Sequence, residues 1–319
     1  MSRKNTLVTI VDQFLVSGVN FITGVFLARY LGVSDFGQYT LLYGIVLFMM
    51  GIQMALIISP LMVMGPRCKN KKESYYATVL ILQILFSLLL VFLFFSCFYS
   101  IDYFLPGWGL IKYVSVMCFV IVFLMLQDYF RRLFFVNAYP KYALLIDIVS
   151  YGLRLGLIVW LNYRDILTIE NVFWAISASC CIGAIIGLLL VLYKRLVLFT
   201  FDESVFNVAV NHWVFGKWLI ASNLSYWVSN QSILYLAGLL LSLPVVGAIA
   251  AVQNIVGVVN VFFLAFQNSV PQNAAKVFSS KGISGLNVFL KRVAKTWGCG
   301  TLVLVLCIAI APKLWMTLT

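Results

Sequence analysis

The feature that most constrains this chain is the alternation of long apolar runs with very short polar connections. Leu27-Ala28-Arg29-Tyr30-Leu31-Gly32-Val33-Ser34-Asp35-Phe36-Gly37-Gln38-Tyr39 sets the pattern. It is a polar turn between residues 6–28, which carry one charge (Asp12), and residues 40–64, which carry none. Runs of about twenty apolar residues match a hydrocarbon core of about 30 Å at helical rise. Backbone polar groups cannot go unpaired in lipid, so each run predicts a spanning helix. Gly32 and Gly37 are expected to let the chain reverse between the first two.

Composition agrees. The 319 residues are 63% hydrophobic and only 10% charged, too much apolar surface for a soluble domain to hide. The predicted fold class is an all-α polytopic membrane protein of about 9 transmembrane helices. The net charge of +12 would suggest nucleic acid in a soluble protein. Here the basic residues sit between spans and read as a topology signal instead. Seven scattered cysteines form no CxxC pair and read as buried small hydrophobes. Arg3 and Lys4 precede an apolar run without a small-x-small cleavage site, so it reads as an uncleaved first span.

The expected spans are residues 7–29, 39–63, 76–101, 110–130, 142–161, 169–192, 214–239, 245–266 and 296–311. Residues 194–212 break the rhythm. They read as an interfacial helix feeding span 7, with Asp202 as N-cap and His212, beside Trp213, at headgroup level. With the N-terminus in the cytoplasm, 17 basic residues fall on the cytoplasmic side and 4 on the other, a strong orientation signal. Arg131 and Arg132 count among the cytoplasmic charges, and the C-terminus falls outside.

No HExxH, Walker loop or strand-flanked GxGxxG is present, and the single histidine gives no Ser/His/Asp arrangement. The reading is therefore not an enzyme, with no cofactor and no metal. What remains is polar and ionisable side chains inside spans, which are costly in lipid and face a bundle interior or a water-filled cavity. The candidates for lining a substrate cavity are Arg154, Asp147, Arg29, Asp12, Gln13, Lys217, Asn223, Asn230, Gln231 and Asn254. The competing role for each is helix–helix hydrogen bonding, or snorkelling for Arg29 and Lys217 near span ends. Arg154 is mid-span, two turns from Asp147 on the same face, and must pair with a carboxylate or face water. A cationic cavity suits an anionic substrate such as a pyrophosphate.

At these residues the sequence resembles a known family. Arg29-Tyr30-Leu31-Gly32 with Phe36-Gly37-Gln38-Tyr39 resembles the first hairpin of polysaccharide-export flippases. That superfamily includes multidrug and toxin extruders and lipid II flippases. Gly216-Lys217-Trp218-Leu219 with Ala221-Ser222-Asn223-Leu224 looks like the opening of the second lobe. Val246-Gly247-Ala248-Ile249-Ala250-Ala251 resembles the helix that follows, and Arg131-Arg132 before a proline-bearing loop also fits.

The resemblance implies two six-helix lobes around a central cavity with alternating access. Residues 1–193 would form the first lobe, 194–213 a connection and 214–319 a partial second lobe. About three spans of the family pattern are missing, as in a C-terminally truncated member. The implied function is translocation of an undecaprenyl-pyrophosphate-linked oligosaccharide, such as an O-antigen or capsule unit, across the bacterial inner membrane. A cation-coupled small-molecule antiporter and a non-transporting scaffold in a polysaccharide assembly complex are the alternatives. The implied partners are the lipid bilayer, the lipid-linked oligosaccharide and a polysaccharide polymerase or assembly protein, with no nucleic acid.

Overall fold

The computed structural model describes residues 3–68, 72–104, 111–198, 204–254 and 282–295, with a few isolated positions beyond 254. The helices are α1 (Arg3–Tyr30), α2 (Val33–Gln53), a π-helical turn (Met54–Ile58), α3 (Ser59–Met64), α4 (Lys72–Phe104), α5 (Ile111–Val136), α6 (Pro140–Tyr163), α7 (Ile169–Tyr193) and α8 (Val205–Leu240). A shorter apolar helix, α9, covers Leu243–Asn254. Among the described residues, six helical segments are long and apolar enough to cross a membrane: Leu7–Tyr30, Val33–Met64, Lys72–Ser100, Ile111–Val136, Pro140–Tyr163 and Ile169–Tyr193. The protein is an all-α polytopic bundle. These six segments correspond to the first six expected spans. Nearly all of the ninth expected span, the end of the eighth and most of residues 267–281, the first part of the polar 267–292 connection expected between them, lie outside the described residues.

Two expectations about local structure change. Gly32 does take a left-handed conformation at the α1–α2 turn (φ 82°), but Gly37 lies inside α2 and makes no turn. Residues 205–213 are not a separate interfacial helix. They are the first turns of α8, which runs unbroken for 36 residues, about 54 Å against a hydrocarbon core of about 30 Å. Its N-cap is Ser204, whose hydroxyl accepts from the Phe206 N–H at 3.3 Å, rather than Asp202.

Helices α5, α6 and α7 close in one way. Ala138, Asp165 and Arg195 each have positive φ (59°, 56° and 52°). The following residue's N–H bonds back five residues: Tyr139 to Phe134, Ile166 to Leu161, Leu196 to Val191. These are Schellman closures without glycine, so each left-handed residue carries a steric cost.

Lipid gives no hydrophobic drive for helix association, so buried polar contacts and close packing hold the bundle together. Gln53 of α2 donates to Gln83 Oε1 of α4 and to the Met125 carbonyl of α5, both at 2.9 Å. Gln83 in turn donates to Ser87 Oγ at 2.8 Å. Buried apolar side chains fill the rest, including Phe94, Met117 and Phe173 at one end and Ile58, Tyr129 and Leu133 at the other.

α8 runs antiparallel along α2, and four of its side chains donate to α2-side backbone carbonyls. Tyr235 Oη reaches Leu41 O at 2.8 Å, Trp227 Nε1 reaches Gly44 O at 3.2 Å, and Asn223 Nδ2 reaches Gly51 O at 2.8 Å. His212 Nδ1 reaches Leu56 O at 2.9 Å. The last has a cause in the sequence. Pro60 has no N–H, so it cannot serve the carbonyl four residues back, that of Leu56. The helix widens into the π turn there, and His212 supplies the missing donor. Gly216 brings the two backbones together, because a Cβ there would stand 2.6 Å from Ala55 O.

Candidate functional site

The cavity between the α1–α7 bundle and the α8–α9 pair has a volume of about 820 Å³. Arg154 of α6, Tyr39 and Tyr43 of α2, Asn20 of α1, Gln231 of α8 and Asn254 of α9 supply its polar lining. Among the described residues no Asp or Glu lines it. At the α1–α2 turn end, Phe36 and Thr23 close the wall; toward the α1 N-terminus the lining reaches Phe14 and Ser17.

Arg154 is 2% exposed. Its guanidinium lies 4.7 Å from the Tyr151 ring and donates through Nη2 to Cys180 Sγ at 3.2 Å. The Tyr43 hydroxyl is beside it. Nε has no hydrogen-bond partner among the described residues, and no carboxylate there pairs with the group. A thiol is a weak acceptor, so this cation is buried with no compensating charge among the described residues.

The carboxylate two turns away does not serve it. Asp147, fully buried, is ion-paired to Arg131 Nε of α5. Arg131 Nη2 also holds Asp12 Oδ2 of α1 at 2.8 Å, and Nη1 lies 3.8 Å from Asp128. One guanidinium thus fastens three helices. Arg131 is a buried structural charge, not the loop charge that its sequence context suggests. This cluster borders a separate pocket of about 440 Å³ with Gln13 and Arg132.

The ten candidates therefore divide by place. Arg154, Gln231 and Asn254 line the main cavity. Asn223 and Asn230 join Gln231 in an adjoining groove of about 710 Å³. Asp12 and Gln13 border the Arg131 pocket, and Asp147 is spent in its ion pair. Arg29 and Lys217 are exposed, lying 5.7 Å from the Tyr30 ring and 5.9 Å from the Trp218 ring, and line none of these spaces. Three participants escaped the sequence reading. Tyr39 and Tyr43, four apart on α2, stack at 5.6 Å on the cavity wall; their spacing was the available signal. Cys180 had none. His212 is 2% exposed, buried against α4 and the π turn rather than at a headgroup surface. Among the described residues no cluster of His, Cys, Asp or Glu is placed to hold a metal.

Comparison with known proteins gives a consistent picture. The family described as "Polysaccharide biosynthesis protein" matches residues 2–271. No curated protein matches the chain. Among solved structures, a Vibrio cholerae MATE transporter, the VcmN D35N mutant, superposes with TM-score 0.66 at 16% identity, covering 99% of this chain and 75% of that one. A MATE-family multidrug resistance transporter of the MOP superfamily, in an outward-facing conformation, gives TM-score 0.68 at 13% identity, covering 95% and 71%. A MOP-superfamily transporter from Pyrococcus furiosus, described by a binding pocket of reverse polarity, gives 0.58 at 15%, covering 92% and 74%.

Proposed function

The chain belongs to the polysaccharide biosynthesis protein family and has the fold of MOP-superfamily transporters, and from there we propose that it flips an undecaprenyl-pyrophosphate-linked oligosaccharide. Movement is from the inner to the outer leaflet of the bacterial inner membrane. The first lobe comprises residues 1–193 and the second begins with α8, whose first turns take up the end of the expected 194–213 connection. The lobes rock about the α2–α8 seam while substrate occupies the cavity between them.

The observation that carries this reading is Arg154. A buried guanidinium without a carboxylate is expensive, and an anionic group entering the cavity supplies the missing charge. Pyrophosphate oxygens match its planar fork of donors. Among the described residues the cavity lining holds Arg154 and no acid, a polarity that favours an anionic over a cationic cargo there. Asp12 and Asp147, the acids expected in such a cavity, are both held by Arg131.

The test is translocation of fluorescent undecaprenyl-pyrophosphoryl-N-acetylglucosamine in proteoliposomes of the full chain. Wild type should move the probe, Arg154→Lys should move it more slowly, and Arg154→Ala slowest, since lysine keeps the charge but loses the fork. Equal rates in all three, at equal reconstituted protein, would remove Arg154 from the substrate path. No transport by wild type would overturn the reading.

A further inference from the structure

We infer that the groove between α2, α8 and α9 is a subsite for uncharged sugar rings, distinct from the Arg154 end of the cavity and selective against acidic sugars. This rests on the flippase reading above and names the chemistry of the glycan that it carries.

The groove adjoins the main cavity, sharing Leu47, Gln231 and Gln253 with it. Its polar side chains are the carboxamides of Asn223, Asn230, Gln231 and Gln253, with the Tyr226 hydroxyl and the Trp227 indole, and among the described residues no carboxylate, lysine, arginine or histidine lines it. Two of these amides are already engaged through their NH₂ groups: Asn223 on Gly51 O and Asn230 on Tyr226 O, each at 2.8 Å. Gln231 is different. Its Oε1 is buried and accepts no hydrogen bond among the described residues. A lipid tail in the groove would leave that acceptor unpaired, at a cost. A sugar hydroxyl would satisfy it, and carboxamides offer both donors and acceptors to a ring of hydroxyls.

Aromatic surface stands beside the amides. Trp227 is held rigidly, its Nε1 committed to Gly44 O and its ring packed on Phe48 at 5.0 Å and Tyr235 at 5.2 Å. Tyr226 is 71% exposed at the rim. Such rings bury the apolar face of a pyranose while the amides meet its edge. A uronate would bring its carboxylate into a space whose described lining offers no cation, a costly transfer. Arg154, the cation of the main cavity among the described residues, does not line the groove and is assigned to the pyrophosphate.

The experiment measures affinity in nanodiscs of the full chain for three probes. These are undecaprenyl pyrophosphate, the same carrier bearing N-acetylglucosamine, and the carrier bearing glucuronic acid. In wild type the neutral sugar should tighten binding about ten-fold over the bare carrier, and the uronate should not. In Gln231→Leu and Gln253→Leu, shown folded by monodisperse elution, the ratio of sugar-bearing to bare affinity should fall to about one. Arg154→Ala should weaken both carriers and keep the ratio. Variants that keep the wild-type ratio would overturn the subsite, as would a uronate bound as tightly as the neutral sugar. Bare carrier bound without any gain from sugar would overturn the subsite and leave the flippase reading standing. Failure to bind any carrier would bring down both.

Discussion

Gly37 and Gly247 hold equivalent places on crossing helices. Each lies four residues beyond the first residue of its helix, Val33 for α2 and Leu243 for α9. A Cβ on Gly37 would fall on the Leu243 carbonyl oxygen, and a Cβ on Gly247 on the Val33 carbonyl oxygen. The contact is reciprocal, as a local two-fold relation between the two hairpins requires. It brings the two backbones together at the end of the cavity marked by the α1–α2 turn. Both obstructing atoms are main chain, so neither can swing aside. Gly37→Ala and Gly247→Ala should each lower the thermal unfolding temperature of the solubilised protein, by the equivalent of about 1–3 kcal/mol of overpacking. The double variant should cost less than the two losses added, because the first substitution already separates the helices. Strictly additive losses, or none, would mean that the two contacts are independent or unimportant.

Arg131 is ion-paired to both Asp12 and Asp147. Removing it strands two buried carboxylates, which is far worse than never having buried them. Arg131→Met should cost about 3–5 kcal/mol, seen as a sharp fall in monodisperse protein and melting temperature. Asp12→Asn with Asp147→Asn in the same chain should restore a large part of that loss. If the triple variant is as damaged as Arg131→Met, the cluster matters for packing rather than charge.

Much of this architecture was legible in residue order. Run length and hydropathy give the first six spans because the bilayer imposes one length on every crossing helix. Arg154 stood out because a mid-span guanidinium is rare. What could not be read were pairings between distant helices. Asp147 had a guanidinium two turns along its own helix, yet Arg131 of α5 holds it; sequence spacing ranks neighbours on one helix and says nothing of the helix opposite. Gly37 looked like a turn residue and is a packing residue. Ala138, Asp165 and Arg195 close helices in a conformation usually signalled by glycine. The polar stretch before span 7 looked like a surface helix because hydropathy changes there. Helix continuity depends on backbone hydrogen bonds and not on hydropathy, so α8 passes straight through.

Orientation is open to direct measurement. Even with Arg131 drawn into the interior, 16 basic residues remain on the side assigned to the cytoplasm against 4 on the other. Reporter fusions after residues 72 and 285 should both give cytoplasmic signals. An external signal at either site would reverse the orientation or change the number of crossings between them.

His212 offers a pH-dependent test of the α2–α8 seam. Leu56 O can only accept, so Nδ1 carries the proton, and in the neutral ring Nε2 accepts from the Tyr75 hydroxyl at 2.9 Å. Protonation puts a second N–H against Tyr75 and a charge in a buried site. Burial holds the imidazole below its ordinary pKa. The folded protein therefore binds fewer protons than the unfolded chain, and stability rises with pH through this range. It is lost as pH falls below about 6.5, the ordinary histidine value. His212 is the only histidine, the one side-chain type whose ordinary pKa lies in that window. The melting temperature of wild type should fall between about pH 7.5 and about pH 5.5. His212→Gln, which retains an amide donor for Leu56 O, should be less stable at the upper pH and show a flatter slope. Parallel slopes in the two proteins would mean that His212 does not couple protonation to the seam.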